Sequence, residues 1–176
     1  MKLLGPLARS VAIVGLSAAG CLAATGPVFA GKAEVAMLQS YVGSWKGRGQ
    51  LIGAESESVV CRMTISPGND DKVNYSGRCA LAGQTVAVNG TLAYIDAKRR
   101  FEAAMTTNAG FTGLAIGQKS GGGVVFNLRE KEQDDQGNDL QITAGITLTE
   151  ARITVDFNVV FLETGDTISA SVPFTK

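Results

Sequence analysis

The sequence of 176 residues contains no histidine. Without histidine, neither a Ser-His-Asp triad nor a Cys-His catalytic pair can be assembled. A zinc site would have to be built from cysteine and carboxylate ligands alone. The sequence therefore predicts no catalytic residues, no bound metal and no cofactor, and a protein that is not an enzyme.

The sequence also lacks an excess of either charge, because 16 basic residues balance 16 acidic residues. Removal of residues 1–30 takes away two basic residues, Lys2 and Arg9, and no acidic one, which leaves a formal charge of −2. The one basic cluster, Lys98–Arg100, stands at a predicted turn. We therefore expect no nucleic-acid partner and no basic surface for binding a membrane.

Residues 1–30 have the order of a secretory signal peptide. Two basic residues precede the apolar run Ser10–Ala24, and the segment ends in the small-residue sequence GPVFA. The apolar run is too short, and too rich in Gly and Ala, for a convincing membrane anchor. We expect this leader to be removed and residues 31–176 to form one exported domain, periplasmic or secreted.

The three cysteines divide into two groups. The sequence LSAAGC, which ends at Cys21, is similar to a bacterial lipobox, so the alternative to a free protein is a membrane-anchored lipoprotein lipidated at Cys21. Cys61 and Cys79 belong to the predicted domain, and an oxidising compartment favours a disulfide between them. Closing that short loop stabilises the fold by about 3 kcal/mol in the chain-entropy model.

From Tyr41 onward the chain reads as short strands separated by turns. Every second residue is apolar in Leu140–Leu148 and in Ile153–Phe161, which is typical of strands with one buried face. No connection is long enough for a crossover helix, so neighbouring strands should pair antiparallel and close into a barrel. The predicted strands lie at 42–52, 56–66, 72–81, 84–95, 99–107, 111–118, 122–130, 139–149, 151–161 and 166–175.

The predicted fold class is thus all-β, a single antiparallel up-and-down barrel of about ten strands with a short N-terminal helix. Pairing Cys61 with Cys79 places Met63 opposite Gly77, with all four residues on the inner face. One register therefore satisfies both the disulfide and the apolar pattern.

The short helix is predicted at Lys32–Ser40. Ala33, Met37 and Tyr41 recur at a spacing of four residues, as one apolar stripe of a helix would require. The segment is too short to be stable alone. We expect it to lie across one open end of the barrel as a plug.

The inner face is predicted to be apolar along the whole barrel. Its larger residues are Trp45, Met63, Ile65, Tyr75, Val86, Val88, Leu92, Tyr94, Phe101, Met105, Phe126, Leu128, Ile142, Ile146, Val155, Phe157 and Phe174, with Gly77, Gly90, Ala103, Ala144 and Ala170 between them. The candidate ligand contacts among them are Trp45, Met63, Tyr75, Tyr94, Phe101, Met105, Phe126, Ile142 and Phe157. Two alternatives stay open, a ligand cavity and a core packed solid by these side chains.

Three features that carry chemistry in other proteins have structural interpretations here. Glu102 and Asp156 fall on the outward face of their strands, whereas an enzyme would need them in the lumen. The glycine run Gly121–Gly123 precedes a strand rather than a helix, so it is not a phosphate-binding loop. The acidic stretch Asp134–Asp139 lacks the ligand spacing of a calcium loop and is predicted to be a solvated hairpin turn.

The single tryptophan stands in the motif Gly43-Ser44-Trp45. A Gly-x-Trp motif between a short helix and a meander barrel resembles the calycins, a superfamily of lipocalins, fatty-acid-binding proteins and nitrobindin-like barrels. The resemblance implies that Trp45 closes the barrel floor under Lys176, by cation–π contact. Gly43, Gly47 and Gly49 share the face of Trp45 and would leave the strand room to bend around its ring. Nitrobindin-like barrels hold haem through a histidine, which is absent from this chain, so the resemblance implies no haem here.

Two classes of function follow from these observations. The first is a non-enzymatic, exported, monomeric barrel that binds a small apolar or amphipathic ligand of the fatty-acyl type in its lumen. The second is a structural or protein-interaction module of the cell envelope, inhibitor-like, with a packed barrel, functional loops and an envelope protein as partner. A real internal cavity favours the first class.

Overall fold

A computed structural model describes residues 30–81, 83–134 and 136–176, and all of the predicted leader except Ala30, including Cys21, lies outside these segments. The described elements are the helix α1 (Ala30–Ser40) and the strands β1 (Gly43–Ile52), β2 (Ser56–Pro67), β3 (Val73–Leu81), β4 (Gln84–Ile95), β5 (Arg100–Thr107), β6 (Thr112–Ser120), β7 (Gly123–Gln133), β8 (Asp139–Thr149), β9 (Arg152–Phe161) and β10 (Thr167–Thr175). A short 3-10 turn, Asp96–Lys98, joins β4 to β5.

The ten strands of the described segments form one closed barrel in which every neighbour is antiparallel and β1 pairs with β10. The predicted up-and-down barrel is therefore confirmed. The largest boundary difference is at β7, which extends three residues beyond the predicted Glu130 to Gln133. The alternating pattern ends there in charged residues, but the backbone ladder to β8 continues, because ladder hydrogen bonds do not depend on side-chain polarity.

The disulfide and its register are also confirmed. Cys61 and Cys79 are bonded, and they are separated by 18 residues in sequence. They face each other across the β2–β3 ladder, and Met63 stands opposite Gly77 in the same ladder. The apolar pattern and the cysteine pair therefore select a single hairpin register.

The helix lies across the barrel end at which β1 begins, which we call the floor. At the C-terminus of the helix, the Ser40 carbonyl oxygen accepts a hydrogen bond of 3.1 Å from the Lys176 ammonium. The Gln39 amide donates one of 3.3 Å to the Lys72 carbonyl oxygen in the β2–β3 turn. No helix of the described segments is long and apolar enough to span a bilayer.

The predicted apolar stripe of this helix is confirmed in part. Tyr41 is 2% exposed and Met37 packs against the core, but Ala33 is exposed, and Leu38, which is completely buried, was not in the stripe. Glu34 also faces the barrel, where it bonds to Lys119 of β6. An ion pair between distant parts of the chain thus helps to attach this helix to the barrel.

The floor is packed with aromatic side chains. Trp45, Phe101 and Phe126 are at most 1% exposed. The Phe101 and Phe126 rings meet edge to face with their centroids 6.3 Å apart, and Tyr94 contacts Phe101 in the same way at 5.0 Å. Edge-to-face pairs of this kind add stability beyond the burial of their area.

Candidate functional site

The strand register places every predicted lumen residue on the inner face of the barrel, but burial separates them into two groups. Near the floor, Trp45, Phe101 and Phe126 are sealed inside the core and cannot be touched by a ligand without repacking. Toward the opposite end, which we call the mouth, burial is mixed: Val59, Ile142 and Val159 are buried, whereas other inner residues are partly exposed. The half-buried inner residues include Met63, Tyr75, Val86, Val88, Met105, Ala144, Ile146, Val155 and Ala170.

Phe157 is the most exposed of the predicted lumen residues. It lies on the inner face of β9 between Val155 and Val159, and 37% of it is accessible to solvent. Its partners in the two adjoining ladders are Ala144 of β8 and Ala170 of β10. The small side chains on both sides leave part of the phenyl ring uncovered.

Tyr75 lies along the wall instead of crossing the lumen. A Cβ atom on Gly90 of β4 would overlap the Tyr75 ring, so the ring occupies the space that this glycine leaves. The ring continues to β5, where the Tyr75 hydroxyl donates a hydrogen bond of 3.1 Å to the Ala104 carbonyl oxygen. Burial raises the pKa of the Tyr75 hydroxyl. The Tyr75 hydroxyl, which was expected to contact a ligand, is therefore already hydrogen-bonded to the backbone of the barrel wall.

Two glycines near the floor likewise leave space for bulky side chains. A Cβ on Gly47 would lie 2.8 Å from the Phe174 ring and from Val172. A Cβ on Gly117 would lie 2.6 Å from the Phe126 ring. Gly47 was predicted to let its strand bend around Trp45, but in the structure it makes room for a ring on the neighbouring strand β10. The rings of neighbouring strands can thus pack directly against the wall at these glycines.

Three carboxylates near the mouth face inward and were missed by the sequence analysis. Glu130 and Glu132 of β7 share the face of Leu128, since they stand opposite Ile142 and Leu140 of β8. Glu57 of β2 stands opposite the inward residue Leu51. Glu130 could have been predicted to face inward, because it continues the alternation of β7. It was missed because the inner face was assigned from apolar residues, which end at Leu128.

An ion pair that the sequence analysis also missed lies at the floor. The Glu34 carboxylate accepts a hydrogen bond from the Lys119 ammonium, and the two residues are 85 positions apart in sequence. That bond lowers the pKa of the Glu34 carboxyl below its ordinary value, although burial acts in the opposite direction. The second carboxylate oxygen, Oε2, is buried and has no hydrogen-bond partner among the described residues.

The sequence matches no protein-family model and no curated protein. Among solved structures, the chain is similar to Rv2717c from M. tuberculosis, with a TM-score of 0.64, 11% identity, and coverage of 81% of this chain and 96% of that one. The S-type phycobiliprotein lyase CPES from Guillardia theta gives a TM-score of 0.52 at 12% identity, with 79% and 89% coverage. At such low identity, these likenesses show the barrel fold alone.

The wall of the barrel carries two shallow depressions. One, of about 430 Å³, is lined by residues of β1 and β10, and the other, of about 590 Å³, extends across β7, β8, β9 and β10. Ile52 and Ser171 line both. Most of the lining residues face outward and are polar or small, such as Thr143 and Asn158, but the inward-facing Ala144, Phe157 and Ala170 line the second depression as well. We call this surface the outer furrow.

The carboxylates considered for catalysis lie outside the lumen. Glu102 alternates with the buried, inward residues Phe101 and Ala103, and hydrogen bonds from Arg100 and then Lys98 lower the pKa of its carboxyl. Asp156 is exposed and accepts a hydrogen bond of 2.6 Å from Ser171. The described residues include no group of three or more His, Cys, Asp or Glu side chains arranged to hold a metal ion.

The acidic turn between β7 and β8 is held together by hydrogen bonds among its own residues. Asp134 Oδ1 accepts hydrogen bonds of 2.9 Å from the backbone N–H groups of Gln136 and Asn138, and Oδ2 accepts one from the Asn138 side chain. These bonds lower the pKa of the Asp134 carboxyl, those from Asn138 most strongly. Asp134 therefore caps its own turn, in agreement with the predicted hairpin.

Proposed function

We propose that the protein is a non-enzymatic, exported β-barrel that binds a small apolar or amphipathic ligand, such as a fatty acyl chain, in its lumen. The observation that carries this proposal is Phe157, which faces the lumen and is 37% exposed. In a barrel filled by its own side chains, a central phenylalanine would be buried. A ligand that covers the free part of this ring gains on the order of 1–2 kcal/mol from that contact alone.

The walls support an apolar guest rather than a polar one. Phe157 is surrounded by Ala144, Ala170 and Val155, and the Tyr75 hydroxyl is occupied by the wall. An apolar concave surface with few polar groups selects ligands by shape and hydrophobicity. The resemblance to calycins, which include fatty-acid-binding proteins, points in the same direction.

Export is supported by the disulfide and by the predicted leader. A bond between Cys61 and Cys79 persists in an oxidising compartment. We propose that the mature protein is a monomer in the periplasm or outside the cell, and the lipid-anchored form at Cys21 is the alternative. The intact mass of the mature protein separates the two, because lipidation adds acyl mass to a chain that begins at residue 21.

The matched pair Ala144→Phe and Gly145→Phe tests the lumen. The two residues are neighbours on β8, but Ala144 faces the lumen while a Cβ on Gly145 meets nothing within 4 Å. In a titration with a fluorescent fatty-acyl analogue, we expect saturable binding to the wild type. Ala144→Phe should weaken binding at least about tenfold by filling the space beside Phe157, and Gly145→Phe should leave it unchanged.

Two results would contradict this function. One is the absence of saturable binding to the folded wild-type protein. The other is equal affinity for Ala144→Phe and the wild type, with both shown to be folded by circular dichroism. Loss of binding in Gly145→Phe alone would move the site to the outer furrow.

The second candidate function is an interaction module of the cell envelope, and the outer furrow favours it. Ile52 is 56% exposed and Phe157 is 37% exposed, and both line this furrow, so two large apolar side chains are uncovered on one surface. This function predicts that Gly145→Phe abolishes capture of an envelope protein and leaves the affinity for the fatty-acyl probe unchanged. Capture of an envelope protein and binding of the fatty-acyl probe, both measured on Gly145→Phe, therefore decide between the candidates.

A further inference from the structure

A row of cations crosses the outer wall of the barrel on β1, β2 and β3. Lys46 stands directly opposite Arg62 in the β1–β2 ladder, and Arg62 stands opposite Arg78 in the β2–β3 ladder. All three side chains are exposed. Residues that face each other in neighbouring strands have Cβ atoms about 4.5–5.5 Å apart. The three residues, which are far apart along the chain, therefore form one positive surface, which we call the basic row.

The wall around the basic row contains no outward carboxylate. Five neighbouring strands, β10, β1, β2, β3 and β4, carry one acidic residue, Glu57, and it stands opposite the inward residue Leu51. The same strands carry a fourth outward cation, Arg48, which is also exposed. The ion pairs of the described segments involve none of these four cations. Positive charge is therefore uncompensated on this half of the barrel.

The carboxylates on the two flanking strands are already bonded to other residues. On β9, Asp156 accepts a hydrogen bond from Ser171, and on β5, Glu102 is bonded to Lys98 and Arg100. Like charges placed directly opposite each other destabilise a strand pair. The basic row thus weakens the wall to which it belongs, which points to a partner outside the folded chain.

Exposed apolar side chains accompany the cations on the same wall. Val60 stands opposite Arg48 in the β1–β2 ladder and is 40% exposed, and Ile52, farther along β1, is 56% exposed. Arg48 and Ile52 also line the depression of about 430 Å³. A small free anion would need the cations alone. Cations together with exposed apolar side chains match an anionic bilayer, which offers phosphate headgroups above an apolar interior.

We propose that this wall docks on the surface of an anionic phospholipid bilayer. The basic row and Arg48 face the headgroup phosphates, and Ile52 and Val60 contact the boundary between headgroups and acyl chains. The docking needs no ligand in the lumen, so it does not depend on the proposed function. Without residues 1–30 the chain has a formal charge of −2, so its acidic parts are repelled by the same bilayer and the orientation is defined.

The sequence analysis expected no basic surface for binding a membrane, because it considered basic residues that are consecutive along the chain. Lys46, Arg62 and Arg78 are single basic residues on three different strands. The strand register brings them together, as it does Cys61 and Cys79 on the inner face of the same hairpin.

Sedimentation with lipid vesicles tests the docking. The mature wild-type protein is mixed with vesicles of phosphatidylglycerol and phosphatidylcholine in equal parts, or of phosphatidylcholine alone. At low salt we expect at least about tenfold tighter binding to the anionic vesicles. Most of this difference should be lost at high salt, where the charges are screened. A lipid anchor at Cys21 would hold the protein on both kinds of vesicle, so the ratio of the two affinities reports the wall.

A matched pair of double variants assigns the binding to the basic row. Arg62→Gln/Arg78→Gln should weaken binding to the anionic vesicles at least about tenfold, since each basic residue near such a surface contributes roughly fivefold. It should unfold at an equal or higher urea concentration than the wild type, because the like-charge contact is relieved. Arg129→Gln/Lys131→Gln removes the same charge from exposed, outward positions of β7 and should weaken binding less than about threefold.

A second matched pair tests the apolar contact. Ile52→Ser should weaken binding to the anionic vesicles about threefold or more at both salt concentrations, because hydrophobic contacts are not screened. Leu114→Ser is the control. Leu114 is 43% exposed on β6, outside the five strands, and its replacement should leave vesicle binding unchanged.

Several results would overturn the proposal. One is equal affinity of the wild type for anionic and neutral vesicles, and another is an equal loss of binding in the β7 variant and the basic-row variant. Release from the anionic vesicles by inorganic phosphate, at an ionic strength matched with sodium chloride, would assign the wall to a free anion. Equal effects of Ile52→Ser and Leu114→Ser would remove the apolar contact and with it the bilayer as the partner.

Discussion

The Lys176 ammonium lies 5.1 Å from the centroid of the Trp45 ring and also donates a hydrogen bond to the Ser40 carbonyl oxygen. On the other side, Trp45 Nε1 donates a hydrogen bond of 2.9 Å to the Tyr41 carbonyl oxygen. The only tryptophan of the chain thus joins the helix, the first strand and the C-terminus at the floor. These contacts make Trp45 a structural residue at some distance from the open part of the lumen.

Trp45→Ala should therefore cost stability before it affects binding. Removing a buried tryptophan costs about 3–5 kcal/mol in the free energy of unfolding. Lys176→Ala should cost less, about 0.5–1 kcal/mol, because its cation–π contact is exposed, and Lys176→Arg should retain most of the contact. Urea denaturation monitored by circular dichroism measures all three variants. A loss of ligand affinity in Trp45→Ala without a loss of stability contradicts the floor assignment.

Loss of the disulfide should destabilise the barrel without changing its fold. The bond joins residues separated by 18 positions, so its removal should cost about 3 kcal/mol. The double variant Cys61→Ala/Cys79→Ala should unfold at a lower urea concentration than the oxidised wild type. Added dithiothreitol should lower the midpoint of the wild type and leave that of the double variant unchanged. Equal urea midpoints for the oxidised wild type and the double variant would contradict this prediction.

Gly90→Ala should be more destabilising than a surface substitution in a strand. The added methyl group would overlap the Tyr75 ring and the Ala104 carbonyl oxygen, so the wall has to shift, at about 1–3 kcal/mol. Gly145→Ala is the matched control, since its methyl group meets open space and should be neutral or slightly stabilising. Thermal unfolding compares the two, and an equal effect on both would show that the Tyr75 ring does not need this glycine.

Acid should weaken the attachment of the helix to the floor. The hydrogen bond from Lys119 lowers the pKa of the Glu34 carboxyl in the folded protein below the ordinary value of 4.5. Its contribution to stability is therefore complete above that value and is lost as the pH falls through the lower folded-state pKa. We expect the free energy of unfolding to decline on acidification, and to decline less steeply in Glu34→Gln.

Glu150→Gln is the control for this prediction, because Glu150 is an exposed carboxylate in a floor turn. Part of the decline should remain in Glu34→Gln, since the pKa values of Glu102 and Asp134 are lowered as well. Identical slopes for Glu34→Gln and the wild type, measured by urea denaturation at several acidic pH values, would remove Glu34 from the pH response.

The sequence by itself determined the barrel, the disulfide register and the inward direction of Trp45. These features depend on a period of two residues along each strand and on short connections, which are local properties. The pairing of Cys61 with Cys79 could be predicted for the same reason, since a single hairpin brings them together. The inward direction of Phe157 likewise follows from the alternation of β9.

Only the tertiary structure decided what the inner face does. Glu34 meets Lys119 across 85 residues, and the Tyr75 hydroxyl reaches the Ala104 carbonyl oxygen two strands away. Contacts of this range depend on barrel closure and strand register, which no local pattern encodes. Whether Phe157 is covered depends on how far the opposite wall lies and on which side chains lean along it. For that physical reason, the sequence left cavity and packed core open, and the assembled barrel exposes the ring.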